Sequence, residues 1–280
     1  MAAPAIETPS GKDVAYENFP VGSWLLPGHL RPHIATYYRF ARAADDIADN
    51  PALSPEDKVA RLEAFEDAVR GRGTSGPDCA TAHRMRESLS ETGTDARRAT
   101  DLLRAFKLDA TKLRYADWDD LIGYCTYSAA PVGQYLLDLH GGSTDGYGPS
   151  DALCIALQII NHLQDCKDDY RKLDRVYLPA DMIEQAEARI EDLDRPTTTP
   201  ALRQVFDRML DGTDELLKTA DRLPAGLRSK RLAMESATIL NIAVALVARL
   251  RRRDPLASRV ELSKPAYLWC GVRGVARGLL

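Results

Sequence analysis

Two acidic rows in this sequence have the residue types and spacing to hold a metal-bound phosphate. The first is Asp45-Asp46-Ile-Ala-Asp49; the second, far downstream, is Asn161-His-Leu-Gln-Asp165-Cys-Lys-Asp-Asp169. Side chains four apart share one face of an α-helix, so Asp45 lies with Asp49, and Asn161 with Asp165 and Asp169. Each row ends an otherwise apolar or alanine-rich helical stretch, where a solvated surface helix would mix Lys and Arg among its acids. Clustered carboxylates without a basic partner repel one another and are costly to bury, so the arrangement asks for a cation. Hard oxygen ligands suit Mg2+, which keeps several waters and is typically held by one or two carboxylates plus phosphate oxygens of a substrate. A lone pair of aspartates four apart more often just ends a helix in solvent. Two such pairs, one preceded by Arg42 and the other by Asn161, favour the metal and phosphate reading.

The elements that must position these rows read as helices. From Pro32, suited to a first turn, a helical pattern runs to Asp49 and stops at Asn50-Pro51. Steps of four and three put Tyr38 and Arg42 on the face of Asp45 and Asp49. The plain role for Arg42 is an intrahelical ion pair with Asp45 or Asp46, worth about 0.3–0.5 kcal/mol; the functional one is a bidentate diphosphate contact. Ser54 and Asp117 are expected helix caps. Helical patterns cover roughly 79–91, 95–114, 200–221 and 225–253. In Tyr124 to Leu139, Pro131 and Gly133 imply a kink, and the small residues there either line the path of a bulky ligand or make a close helix contact. After Asp169, the loop to Pro179 carries Arg171, Lys172 and Arg175, which could clamp an anion or simply be a charged loop. Upstream, Phe19 and Trp24 sit in a Pro- and Gly-broken apolar segment that either meets a pocket or caps the core. The final stretch, from Pro255, carries Arg259 and either closes over the site or docks outside it.

No segment shows sustained period-2 alternation, so the class is all-α and strands are not expected. Residues 1–13 are expected to be a disordered tail and 14–280 one domain, with no low-complexity linker. The chain carries 37 Lys and Arg against 41 Asp and Glu, a net charge of −4, which does not suggest a nucleic-acid partner. Five cysteines, an odd set without a C-x-x-C pair, fit a reduced cytoplasmic protein. Ala237 to Ala248 is apolar but short of the ~20 residues of a membrane span, so it reads as a buried helix. Cations at Arg249 to Arg253 suit a helix C-terminus, with a membrane-surface role the minor alternative.

The motif set resembles the squalene and phytoene synthase family: Tyr38-x-x-x-Arg42-x-x-Asp45-Asp46-x-x-Asp49, Tyr124-Cys125 to Val132-Gly133, Asn161-x-x-x-Asp165-x-x-x-Asp169 and Arg175-Val-Tyr177-Leu-Pro179. Ser128-Ala-Ala-Pro-Val-Gly133, the Asn18-Phe-Pro-Val21 opening and Leu262-Ser-Lys-Pro265 are similar to the bacterial branch that makes hydroxysqualene. The resemblance implies an isoprenoid-synthase helical bundle around a central apolar cavity and an isoprenoid diphosphate substrate. It also implies Mg2+ held by Asp45, Asp49, Asp165 and Asp169, and substrate contacts from Phe19, Arg42, Gln158, Asn161 and Arg175. Tyr38 and Tyr127 would join Arg42 in catalysis, their rings stabilising a carbocation. The chain has one more residue than the family pattern leads one to expect between Asp169 and Arg175, which puts the diphosphate role of Arg175 in question.

The implied reaction is ionisation of presqualene diphosphate, rearrangement and capture by water to give hydroxysqualene, with no nicotinamide cofactor. The alternatives are presqualene diphosphate, squalene or phytoene synthesis from two allylic diphosphates, and a non-enzymatic assembly protein of the same fold. Such an assembly protein would be expected to lose acidic ligands that are all present here. Two-metal phosphohydrolysis is disfavoured because His29, His33, His83, His140 and His162 are dispersed. Peripheral contact with the inner face of a membrane, and with partner enzymes of the same pathway, stays open.

Overall fold

The computed structural model describes residues 6–7, 25–73 and 79–279. Phe19, Trp24 and most of the expected tail lie outside the described residues. The chain divides into two compact units, Met1–Thr111 and Lys112–Leu280.

The first unit packs four helices: α1 (Arg31–Ala48), α2 (Pro55–Val69), α3 (Ala80–Thr92) and α4 (Arg97–Thr111). Ile34, Tyr37, Phe40, Ala44 and Ile47 recur at helical steps on α1 and are buried. Phe40 stacks on Phe65 of α2 with ring centroids 6.0 Å apart. Tyr37 donates its hydroxyl proton to the Arg98 carbonyl at 2.8 Å, so the one polar atom of that ring is satisfied inside the core. Ser54 caps α2 as expected, accepting from the Asp57 amide at 3.1 Å. Gly93, with φ at 67°, ends α3 in the left-handed region where glycine has no Cβ penalty. The Glu7 carboxylate accepts from the Thr81 amide and hydroxyl, both at 2.8 Å, so this part of the leading segment is held against α3.

The second unit is organised on α7 (Gly148–Leu173), which packs against α5 (Trp118–Ser128), α6 (Ala130–Leu139), α9 (Pro200–Ala220) and α11 (Lys230–Leu250). Shorter helices α8 (Ala180–Gln185) and α10 (Leu223–Gly226) and a 3-10 turn (Ile190–Asp194) link these, and α12 (Lys264–Leu279) closes the chain against α11. Asp117 caps α5 through the Asp120 amide at 2.8 Å.

The expected kink is a complete break: α5 stops and α6 starts around Ala129, at φ −123° and ψ −46°. Pro131, in the first turn of α6, has no N–H to continue the helix. Gly133 decides what the small residues are for at that position. A Cβ there would lie 2.5 Å from Ser150 Oγ and 2.6 Å from Cys154 Sγ, so α6 presses directly on α7.

The expectation of no strands is corrected. β1 (Arg114–Tyr115) pairs in parallel with β2 (Val176–Pro179). All four residues of β2 are buried, so its sequence shows no alternation to read. Helix α11 is long and apolar enough to cross a membrane by length and composition, but 61% of that window is buried inside the protein, as in a core helix.

Candidate functional site

Each unit carries one of the two rows. On α1 and its C-cap, Tyr38, Arg42, Asp45 and Asp49 form a half-buried stripe beside the buried apolar row. Arg42 donates to Asp45 Oδ2 at 2.9 Å and to the Tyr38 hydroxyl at 3.1 Å, and its guanidinium carbon lies 5.8 Å from the Tyr38 ring centroid. The i, i+3 ion pair is therefore present. It holds the guanidinium in one place alongside the acidic row, and the Tyr38 contact adds a cation–π component. Asp46, next in sequence, is buried and off this stripe.

On α7 the half-buried stripe is Asp151, Cys154, Gln158, Asn161, Asp165 and Asp169, at steps of three and four, while most of the other residues from Pro149 to Cys166 are buried. Gln134 of α6 donates to Asp151 at 2.9 Å at one end of the stripe. Farther along, the Gln158 amide donates to His162 Nε2 at 3.2 Å. His162 stacks on Tyr177 of β2 with centroids 3.6 Å apart, and Tyr115 and Tyr124 pack on the same tyrosine. Burial of that ring, and then the charge of Arg175, push the His162 pKa down to about 3. A neutral imidazole accepting from Gln158 follows, which makes His162 a support of the stripe from beneath.

Asp165 is half-buried, and its surroundings work against its charged form. Burial pushes its carboxyl above the usual range, Arg259 opposes this, and Asp168 and Glu261 reinforce it. Arg259 Nη1 lies 3.1 Å from Asp165 Oδ1 and its Nε 3.3 Å from Glu261. This corrects the expectation of an acidic row without a basic partner. Arg259 comes from the stretch after α11, which is fastened along α7 by Gln164 donating to the Val260 carbonyl at 2.5 Å and Lys167 donating to the Leu256 carbonyl at 3.0 Å. No local spacing in the sequence points to that pairing. Arg171 and Lys172, expected on a loop, stand instead in the last turn of α7; Arg171 is engaged with Asp194 and Lys172 with Asp168, so both already serve acids.

The structure thus brings Tyr38, Arg42, Asp45 and Asp49 together on one helix, and Gln158, Asn161, Asp165 and Asp169 on another. Tyr127 is half-buried near the end of α5. Arg175 is buried rather than on the stripe, and Phe19 lies outside the described residues. Burial raises the Cys154 and Cys166 thiols to about 12, so neither is a nucleophile near neutral pH.

Among the described residues no three His, Cys, Asp or Glu side chains come together as a metal cluster. Each row taken by itself offers carboxylate oxygens, the ligand type that suits Mg2+. A pair of carboxylate oxygens per row, with the remaining positions left to water and phosphate oxygens, is how that ion is usually held.

Comparison with known proteins bears on the chemistry. The family description "Squalene/phytoene synthase" matches residues 13–266. The chain is 46% identical over 258 residues to the hydroxysqualene synthase of Rhodopseudomonas palustris, covering 92% of this chain and 87% of that one. It is 42% identical to the hydroxysqualene synthase of Zymomonas mobilis, with the same coverage of 92% and 87%. Among solved structures, squalene synthase HpnC from Alicyclobacillus acidocaldarius is similar at a TM-score of 0.73 and 31% identity, covering 85% of this chain and 89% of that one. A dehydrosqualene synthase, at a TM-score of 0.71 and 18% identity, covers 90% of this chain and 88% of that one and shares the fold.

Proposed function

The chain belongs to the squalene/phytoene synthase family, and from that premise we propose that it is a hydroxysqualene synthase acting on presqualene diphosphate. The observation that carries this reading is the 46% identity over 92% of the chain to a hydroxysqualene synthase, in a sequence that keeps an acidic stripe on α1 and another on α7. In the reaction proposed, the C–O bond to the diphosphate breaks and its electron pair leaves with the phosphate oxygen. The cyclopropylcarbinyl cation rearranges, and water adds to the product cation with loss of a proton.

The fold is the all-α isoprenoid-synthase fold of the structural relatives. Within the proposal, both units work as one domain over residues 14–280, and the two rows serve one diphosphate. Mg2+, when bound by Asp45, Asp49, Asp165 and Asp169 with help from Asn161, offsets the charge of the leaving diphosphate. Arg42, fixed by Asp45 and Tyr38, presents its guanidinium where negative charge develops. Gln158 and Asn161 orient the substrate along the same stripe, with His162 holding the Gln158 amide. Tyr38 and Tyr127 offer aromatic faces to the cation, and apolar surroundings keep water from it until the last step. Arg175, which is buried, supports the diphosphate end through its charge.

Purified protein given presqualene diphosphate and Mg2+ is expected to release hydroxysqualene, with the same product whether or not NADPH is present. Turnover of farnesyl diphosphate with no reaction of presqualene diphosphate sinks this assignment. It would favour the second reading, synthesis from two allylic diphosphates, to which the name of the Alicyclobacillus relative lends support.

A further inference from the structure

Helix α12 is built inside out. Its side toward α11 consists of Cys270, Gly274 and Gly278, one small buried residue per turn. A Cβ added at Gly274 would lie 2.5 Å from Thr238 Cα, and one at Gly278 2.6 Å from Met234 Cα, so backbone meets backbone. Asn241 donates to the Cys270 carbonyl at 3.3 Å and fixes the register.

The large apolar side chains are on the other side. Leu268, Trp269, Val272 and Leu279 are 71, 62, 56 and 63% exposed. A surface helix ordinarily turns its apolar stripe to the core, and here that stripe faces out. At 100° per residue the four fall in one sector, with Lys264 on one flank and Arg273 on the other. The helix contains no acid, although the chain as a whole has a net charge of −4. Its third cation, Arg277, is already paired with Asp221 at 2.7 Å.

We propose that the outer face of α12 docks this protein on an anionic lipid bilayer. The helix lies in the interface, with Leu268, Val272 and Leu279 among the acyl chains, Trp269 at the headgroup boundary, and Lys264 and Arg273 on lipid phosphates. On a chain of net charge −4, an acid-free apolar face flanked by two cations is complementary in charge and polarity to an anionic membrane surface. This inference goes beyond the catalytic reading and is independent of which isoprenoid diphosphate is turned over.

The test is partition of the full chain onto vesicles, with no substrate present. Co-sedimentation is expected with phosphatidylcholine vesicles containing phosphatidylglycerol, with weaker binding to phosphatidylcholine alone and weaker binding in high salt. Tryptophan emission shifts to the blue on binding, and Trp269→Phe removes the shift. Leu268→Glu with Val272→Glu lowers partition at least about tenfold while the helical circular dichroism stays unchanged. Arg273→Glu lowers it roughly fivefold on the anionic vesicles only. The proposal is overturned if the double variant binds as well as the parent. It is equally overturned if the parent ignores vesicles and is a dimer that the double variant turns into a monomer, because a second copy is then the occupant.

Discussion

The acidic rows of α1 and α7 look alike as sequence and are held in opposite ways. Among the described contacts, the α1 row is held from within its own helix: Arg42, one turn before Asp45, supplies a cation, and Tyr38, one turn earlier, steadies it. The α7 row is set by the rest of its unit. Its cation, Arg259, is delivered by a segment beyond α11, and its support from beneath is the aromatic packing of His162 on Tyr177. The described ion pair of the α1 row is therefore local to one helix, whereas the described ion pair and aromatic support of the α7 row come through tertiary packing.

The largest expected effect tests whether both rows serve one reaction. Asp45→Ala and Asp165→Ala should each lower the rate of product formation from presqualene diphosphate by about 10²–10³-fold, the usual loss for one group aimed at developing charge. Chelation should abolish turnover and added Mg2+ restore it. Full activity in either variant would break the equivalence of the rows and remove the metal role proposed for that residue.

The next effect separates them. Gly133→Ala forces a methyl group against Ser150 and Cys154, and overpacking of this kind costs about 1–3 kcal/mol. Thermal unfolding should show that loss, and diphosphate affinity should fall because α7 shifts. If affinity holds while stability drops, the α7 row tolerates displacement and the contrast with α1 is overstated.

Smaller still is the difference between the two arginines. Arg42→Ala should cost about 0.3–0.5 kcal/mol in urea unfolding, as for an i, i+3 pair. Arg259→Ala should cost nearer to 1 kcal/mol and speed amide hydrogen exchange across residues 256–262, since it also removes one of the ties that hold that segment along α7. Equal costs with no change in exchange would show that Arg259 is only a surface partner.

The last test concerns the support under α7. The His162 pKa is lowered from 6.5 to about 3. Above pH 6.5 folded and unfolded chains are both neutral there, and no penalty arises. As pH falls from 6.5 toward about 3, the unfolded chain binds a proton that the folded one refuses, so stability is lost across that window. His162→Phe should flatten that part of the stability profile between pH 7 and pH 5, measured by urea unfolding. An unchanged slope would mean that another group accounts for it.

What the sequence made legible follows the same division. The all-α class, the Ser54 and Asp117 caps and the sharing of faces by Tyr38, Arg42, Asp45 and Asp49 are consequences of spacing over one to three turns, which any reader of helical periodicity recovers. The break at Ala129 was signalled by Pro131, but Gly133 had two readings until Ser150 and Cys154 were seen to crowd it. Arg259 was out of reach because its partner is set by how a long segment returns to α7. The β1–β2 pairing was hidden because a strand buried on both sides, and paired with only two residues, has no alternation.

One consequence concerns loop length. The chain turns at Asp174, a non-glycine residue at φ 51° held by Arg114 at 2.6 Å, and Arg175 then donates its amide to the Asp169 carbonyl at 3.1 Å. That reversal ends α7 and sends Arg175 into the interior. Asp174 and Arg175 alone separate α7 from β2, so the chain turns inward at once: Arg175 is buried, and the guanidinium that meets Asp165 is that of Arg259, from a segment some ninety residues downstream.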